Sequence, residues 1–270
     1  MTGVYNENCI DVMKRMEPCS VDLVVTSPPY DDLREYNNSS TWNFEVFREI
    51  ADNLYCVMKE GGVIVWVVND ATDNGSESLN SFREALYFNE IGFNLNDTMI
   101  WKKVNPVPQT KQPRYTQCFE YMFVFSKGVP KTFNPIQRAC KNGGKVIKSS
   151  LKQITTGKIE RKEKTYTSSE SISDYNVWDI PVAQNKTDHP AVYPLELAKK
   201  HILSWSNEGD LVFDPFLGSG TTGIAARLLD REFVGTEIDK DYFEIAKARM
   251  NNAFGNYDAK ESDNDKNKLF

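Results

Sequence analysis

The stretch Leu211-Val-Phe-Asp-Pro-Phe-Leu-Gly-Ser-Gly-Thr-Thr-Gly223 is a short apolar run followed by Gly218, Gly220 and Gly223 in a G-x-G-x-x-G pattern. Residues 221–229 then read as a helix, so the glycines join a buried strand to a helix N-terminus. Such a turn lets backbone N–H groups approach an anionic group. Glu237 follows the next apolar run, Glu232 to Thr236. A carboxylate there can accept hydrogen bonds from two ribose hydroxyls, which points to an adenosine-type cofactor. No Gly-Lys-Ser/Thr follows the glycines, so a P-loop is excluded.

NAD and S-adenosylmethionine sites share this geometry, and a ligand-free turn reads the same way. Position in the chain adds more. About fifty residues follow the loop, too few for the rest of a sheet. The other strands must come from upstream, in a circularly permuted order. Candidate strands are residues 21–25, 63–68, 99–101 and 121–125. Helical spacing covers 44–58 with Gly61-Gly62 as its stop, 82–86 closing near Gly92, and 241–251. Residues 194–203 are also helical, with Pro194 at a first-turn position. Apolar strands alternating with helices predict a mainly parallel α/β sheet, whose ligands bind beyond the carboxyl ends of the strands.

A second strand end carries unusual chemistry. Thr26-Ser27-Pro28-Pro29-Tyr30 directly follows the run Val21-Asp-Leu-Val-Val25. Two prolines fix φ and remove two N–H donors, leaving rigid carbonyls free to accept. Ser27 adds a hydroxyl acceptor and Tyr30 an aromatic face. Acceptors beside a stacking ring suit a planar base carrying an amino group. A proline-rich turn or a proline ligand for a partner protein is the plainer alternative, and the abutting buried strand speaks against the latter.

Composition sets the outer bounds. The chain has 270 residues, 40% apolar and 26% charged, as in a soluble globular protein of one or two domains. No run reaches the length of a membrane span, and no secretory signal is visible, so no membrane association is expected. Five scattered Cys without a C-x-x-C pair argue for a reducing, cytoplasmic setting, and two His make a metal site a poor expectation. The net charge of −6 hides a segregation. Between Lys131 and Lys164 ten basic residues face two acidic ones, a local +8, which leaves −14 elsewhere. That window is either a solvated surface segment or an electrostatic footprint for phosphates. It shows no sustained periodicity. Residues 255–270 are polar and read as a disordered tail.

TSPPY early, DPFLGSGTT late and a basic insert between them resemble the β class of DNA amino-methyltransferases, which methylate N4 of cytosine or N6 of adenine. VMKEGGVIVWVVND (57–70), DTMIWKKVNPVP (97–108), RYTQCFEYMFVFSKG (114–128), NVWDIP (176–181) and HPAVYPLELAKKHI (189–202) fit the same family. The resemblance implies a circularly permuted Rossmann-like, S-adenosylmethionine-dependent methyltransferase fold with a mainly parallel seven-stranded sheet. It divides the chain into a catalytic part (1–127), a target-recognition insert and linker (128–187), and a cofactor-binding part (188–254).

It also assigns residues. Ser27, Pro28, Pro29 and Tyr30 would be catalytic. Thr26, Asp214, Pro215, Phe216, Gly218, Ser219, Gly220, Thr221 and Thr222 would line the S-adenosylmethionine site. Glu237 and Ile238 would meet its ribose end, and His189, Pro190 and Pro194 the methionine end. Asn8 stands where relatives have Asp near the adenine. Arg34, Asn105, Arg138, Lys141, Lys145, Lys148 and Lys152 are the expected DNA contacts. Double-stranded DNA is the implied substrate, with a cognate restriction endonuclease and a homodimer as partner arrangements known in the family.

Hydrogen bonds from the target amino group to Ser27 Oγ and the Pro28 carbonyl would free its lone pair for in-line attack, once the base has flipped out onto Tyr30. Ser at the first motif position favours N4-cytosine over N6-adenine. Pro18-Cys19 matches a C5-cytosine nucleophile pair, but it lies at the wrong end of its strand. A nicotinamide dehydrogenase and a non-catalytic DNA-binding protein are the other classes; the first lacks a convincing catalytic His or Tyr-Lys arrangement.

Overall fold

The computed structural model describes residues 2–29, 42–106, 108, 113–155, 158–182 and 193–258. The chain forms two compact units, Met1–Asn134 with Asn176–Phe270, and Pro135–Tyr175. In order the elements are β1 (Gly3–Tyr5), α1 (Cys9–Met13), β2 (Val21–Thr26), α2 (Phe44–Val57), β3 (Met58–Val68), β4 (Thr72–Asp73), β5 (Ser76–Glu77), α3 (Asn80–Glu90), β6 (Phe93–Lys103) and β7 (Phe119–Lys127). The smaller unit holds β8 (Gln137–Ala139), β9 (Val146–Thr155), β10 (Lys158–Thr167) and β11 (Ser171–Ser173). The larger unit resumes with β12 (Val177–Ile180), α4 (Leu195–Trp205), β13 (Leu211–Asp214), α5 (Thr221–Leu228), β14 (Glu232–Thr236) and α6 (Lys240–Asp258).

The larger unit is built on one sheet of order β1-β14-β13-β2-β3-β7-β6-β12. Its pairs are parallel except those that β7 makes with β3 and β6. The glycine-loop strand β13 therefore sits mid-sheet beside β2, a strand that comes almost two hundred residues earlier. This is the permuted order expected from the sequence. The sheet has eight strands where seven were expected, because β12 adds to its edge. Trp178 and Ile180 of β12 turn inward, and the Trp101 indole donates to the Ile180 carbonyl at 2.8 Å. Four residues are too few for a periodicity to announce such a strand.

Both sheet faces are covered, which is why the central strands read as continuous apolar runs. Ile64, Trp66, Phe123 and Phe125 pack with Phe47, Leu54 and Phe88 of α2 and α3. Trp66 is fully buried, and its indole donates to the buried Glu84 carboxylate at 2.8 Å. On the opposite side, Met122 meets His201 of α4. Gly61 and Gly62 do not stop α2 as expected. The helix ends at Val57, and both glycines lie inside β3. A Cβ on Gly62 would sit 2.7 Å from Met58 Cε and 3.1 Å from the Asp22 carbonyl, so the glycine admits the close approach of β2.

The smaller unit contains an antiparallel hairpin of β9 and β10, from Val146↔Thr167 to Thr155↔Lys158, and a short β8–β11 pair. Its mixed Lys, Ser and Thr composition concealed these strands. The boundaries differ from the expected 128–187, since β7 ends at Lys127 and residues from Asn176 onward belong to the larger unit. α6 runs to Asp258, into the expected tail, and residues 259–270 lie outside the described residues.

His201 gives the core a pH signature. It is fully buried, Nε2 lies 3.2 Å from Met122 Sδ, and Nδ1 has no hydrogen-bond partner among the described residues. Burial lowers its pKa from 6.5 to about 3, with the Lys200 charge a lesser cause. Between those values the unfolded chain takes up a proton that the folded one refuses, so this group's stability is full above 6.5 and lost as pH falls toward 3. We predict that His201→Leu flattens the acid side of a urea-denaturation profile by up to about 1.4 kcal/mol per pH unit. Parallel profiles for the two proteins would contradict the burial.

Candidate active site

Three parallel strands end at the same edge of the sheet, β2 at Thr26, β13 at Asp214 and β14 at Thr236. The order of strands reverses between β13 and β2, the kind of point where α/β sheets bind ligands. Asp214 is 1% exposed and Thr26 fully buried. Asp214 Oδ1 accepts from Thr26 Oγ1 at 2.6 Å and from Phe216 N at 3.1 Å. Its Oδ2 accepts from Thr222 Oγ1 at 2.6 Å and lies 3.5 Å from the Tyr193 hydroxyl, which also bonds Thr222. Burial pushes the Asp214 carboxyl up, and these four donors oppose that shift. Burial first, and then the Asp214 charge, raise the Tyr193 phenol well above its usual range, so it remains a donor at neutral pH.

The glycine loop follows. Gly218 and Gly220 both have positive φ, +51° and +82°, a conformation costly for any residue with a Cβ. Gly220 is the N-cap of α5. Gly223 serves packing instead, since a Cβ there would lie 2.7 Å from the Phe233 ring. The loop is braced at both ends: Leu217 N donates to the Thr236 carbonyl and Thr236 Oγ1 to the Pro215 carbonyl, each at 2.8 Å. Ser219 and Thr221 are buried within it, and Arg249 of α6 donates to the Ser219 carbonyl.

Glu237 stands just past β14. Its Oε2 accepts from Gly218 N and its Oε1 from Asp239 N, both at 2.9 Å. Burial raises its pKa against these two bonds. A carboxylate offers about four lone-pair positions, so two remain for diol hydroxyls. Asn8 reaches the same corner through β1: Glu237 N donates to the Tyr5 carbonyl at 3.0 Å. The Asn8 side chain caps α1, accepting from Ile10 N at 2.9 Å. Phe216 sets its ring edge-on to Trp42 at 5.4 Å, beside the loop. Ile238 is exposed and Pro215 buried.

Ser27 and Pro29 are half-buried and Pro28 is buried, directly beyond Thr26. Tyr30, Asp32, Arg34, Tyr36, His189 and Pro190 lie outside the described residues. Pro194 is the N-cap of α4, with φ −63° and ψ 143°, one position earlier than expected. Pro18-Cys19 precedes β2 and so lies at the other end of that strand from Ser27. Trp101 is core, while Asn105 is exposed beyond the end of β6. Tyr193 was not expected to be functional. It lies within the 189–202 stretch, but only the tertiary fold brings its hydroxyl to Asp214.

Lys141, Lys145 and Lys148 are exposed in the smaller unit, and the side chain of Lys152 lies outside the described residues. Arg138 is more occupied. Its guanidinium lies 3.9 Å from the Tyr175 ring centre and its Nε 3.9 Å from Asp174. Among the described residues no group of three or more His, Cys, Asp or Glu could hold a metal ion, and no helix is long and apolar enough to cross a membrane.

The family model for DNA methylases (N6_N4_Mtase) matches residues 21–248. The orphan methyltransferase M.BamHII of Bacillus amyloliquefaciens is 50% identical over 244 residues, 87% of this chain and 90% of the relative. The type II methyltransferase M.HpaI of Haemophilus parainfluenzae is 27% identical, over 93% and 75% of the two chains. Among solved structures, the M1.HpyAVI–SAM complex superposes with a TM-score of 0.63 at 27% identity, covering 93% of this chain and all of that one.

The left-handed Gly220 gives a direct test of the loop. We predict that Gly220→Ala destabilises the protein by about 1–2 kcal/mol in thermal or urea unfolding, from φ strain alone. Contacts of 3.3 Å from the new Cβ to Ala246 and Met250 add to it. An unchanged midpoint would show that the loop tolerates another conformation.

Proposed function

The chain belongs to the DNA methylase family, and from that premise we propose that it methylates N4 of cytosine in double-stranded DNA. The cofactor is S-adenosylmethionine. Glu237 at the strand end, Gly218 and Gly220 with left-handed backbones, and Asn8 at the N-cap of α1 would hold its adenosine portion. When bound, the cofactor supplies a methyl group on a positively charged sulfur. Family membership sets the nicotinamide dehydrogenase aside.

The protein's own work is positioning and electrostatics. An exocyclic amino nitrogen is a weak nucleophile because its lone pair is delocalised into the ring. Ser27 Oγ and the Pro28 carbonyl accept hydrogen bonds from its two N–H groups, which draws the nitrogen toward tetrahedral geometry and frees the lone pair. The freed lone pair would then point at the methyl carbon that the bound cofactor supplies, with the neutral thioether as leaving group and the surplus N–H proton passing to water. Such alignment and preorganised acceptors account for the acceleration without a covalent enzyme intermediate. The base has to leave the helix to reach a strand end, and Tyr30 offers a stacking face. The single observation that carries the reading is Ser27-Pro28-Pro29 set directly beyond β2, beside the strand that leads into the glycine loop.

Ser27 in the first motif position supports cytosine N4. Adenine N6 presents the same amino group to the same acceptors and is the second reading. The basic insert supports phosphate contact by the exposed Lys141, Lys145 and Lys148, with Asn105, Arg34 and Lys152 as further contacts. Arg138, held by Asp174 and Tyr175, is the least available of the set. The relative with 50% identity is named an orphan methyltransferase, which favours action without a partner endonuclease. A homodimer is part of the same proposal and is read by light scattering.

Labelled methyl transfer to mixed-sequence DNA tests the reading. Transfer is expected, and Ser27→Ala should lower turnover about a hundredfold while calorimetric affinity for S-adenosylmethionine stays within about threefold. Equal loss of both would make Ser27 structural, and tighter binding of NAD than of S-adenosylmethionine would overturn the proposal. DNA affinity should fall linearly with the logarithm of salt concentration, and each Lys→Ala change at 141, 145 or 148 should reduce the slope by about 0.9. Unchanged slopes would move the phosphate contacts elsewhere.

A further inference from the structure

We propose that Asp214 is a positioning residue: its carboxylate holds the Thr26 hydroxyl and thereby aims Ser27 and Pro28, instead of touching a ligand itself. The inference rests on the methyl-transfer reading and changes how the resemblance assigns this residue. A carboxylate has about four lone-pair positions, two on each oxygen. Here protein groups surround them: Thr26 Oγ1 and Phe216 N donate to one oxygen, Thr222 Oγ1 donates to the other, and the Tyr193 hydroxyl, bonded to Thr222, stands 3.5 Å from that second oxygen. With the carboxylate 1% exposed and Tyr193 against its remaining side, protein groups stand where a ligand amino group or hydroxyl would have to approach. Glu237, in contrast, has two backbone donors and room for two more.

The four groups belong to three separate parts of the chain. Thr26 is the last residue of β2 and is bonded covalently to Ser27. Phe216 and Thr222 lie on either side of the glycine loop, and Tyr193 enters α4. The Thr26–Asp214 bond, 2.6 Å between two buried side chains, therefore ties the strand that carries Ser27 directly to the strand that enters the glycine loop. A displacement of Ser27 by an ångström would misalign its acceptor with the amino group, an error that can cost up to about a hundredfold in rate.

Two substitutions separate positioning from contact. Thr26→Val keeps the shape and removes the hydroxyl. Asp214→Asn keeps an acceptor for Thr26 and Phe216, and its amide can donate to Thr222. The Thr222 hydroxyl can then turn to its second acceptor, the Val25 carbonyl at 3.2 Å. Asn is thus accommodated without an orphaned polar group.

The experiment measures methyl transfer to DNA and calorimetric binding of S-adenosylmethionine for each purified variant, with thermal melts as a folding control. Wild-type transfer is the reference; its absence overturns the methyl-transfer reading, and this inference with it. With wild type active, Thr26→Val should lower kcat about tenfold or more with cofactor Kd within about threefold, and Thr26→Ser should restore kcat. Asp214→Asn should bind the cofactor within about threefold of wild type and retain more activity than Thr26→Val. Unchanged kcat in Thr26→Val, or failure of serine to restore it, overturns the inference. So does a cofactor Kd weakened about tenfold in Asp214→Asn, which would reveal direct contact. If Thr26→Val does not melt cooperatively, the Asp214→Asn titration alone decides between the two outcomes.

Discussion

A carboxylate buried at the centre of a sheet imposes a strict condition on everything around it. Taking such a charge out of water costs several kcal/mol unless donors surround it, and Asp214 is 1% exposed. The donors come from β2, from both sides of the glycine loop and from the entry to α4. Satisfying one group therefore fixes three segments that are far apart in the chain. The rest of the site inherits this order. Ser27 leaves β2 one residue after Thr26, and the loop that begins at Pro215 returns to β14 through the Thr236 bonds. Glu237 then closes the loop from the far side by accepting from Gly218 N.

Much of this was legible in the sequence because it depends on local chemistry. Gly218 and Gly220 are glycines because their φ angles are positive, and a strand-to-helix turn demands that. The runs at 63–68 and 211–213 are apolar throughout, and 21–25 is broken only by Asp22, because helices cover both sheet faces. The apolar runs upstream of the glycine loop pointed to a permuted strand order, and β13 beside β2 is that order. The rigid segment beyond β2 was legible because the two prolines at 28 and 29 fix φ wherever they occur.

What sequence missed depends on distance in the chain. Gly61-Gly62 looked like a helix stop, since nothing local records that Asp22 of β2 approaches Gly62. β1 and β12 are three and four residues long, shorter than any periodicity, and they exist because neighbouring strands offer them partners. The hairpin of β9 and β10 mixes charged, hydroxyl and scattered apolar residues without a sustained alternation, so its pattern is nearly silent. Tyr193 is ordinary until the fold brings its hydroxyl beside Asp214. The set of groups gathered on Asp214 was invisible for the same reason, since its members come from distant parts of the chain.

Charge divides unequally between the two units. The smaller unit, Pro135–Tyr175, has nine basic residues against four acidic ones, a net +5 in a chain of net −6. The α/β body that carries the glycine loop and the small basic unit thus differ in sign, and whole-chain charge describes neither. The central claim is that a Ser-Pro-Pro strand end presents acceptors to the amino group of cytosine. Mass analysis of nucleosides from DNA methylated by the purified protein tests it most directly. The account predicts N4-methylcytosine; N6-methyladenine would contradict the base assignment, and C5-methylcytosine would contradict the amino-group mechanism itself.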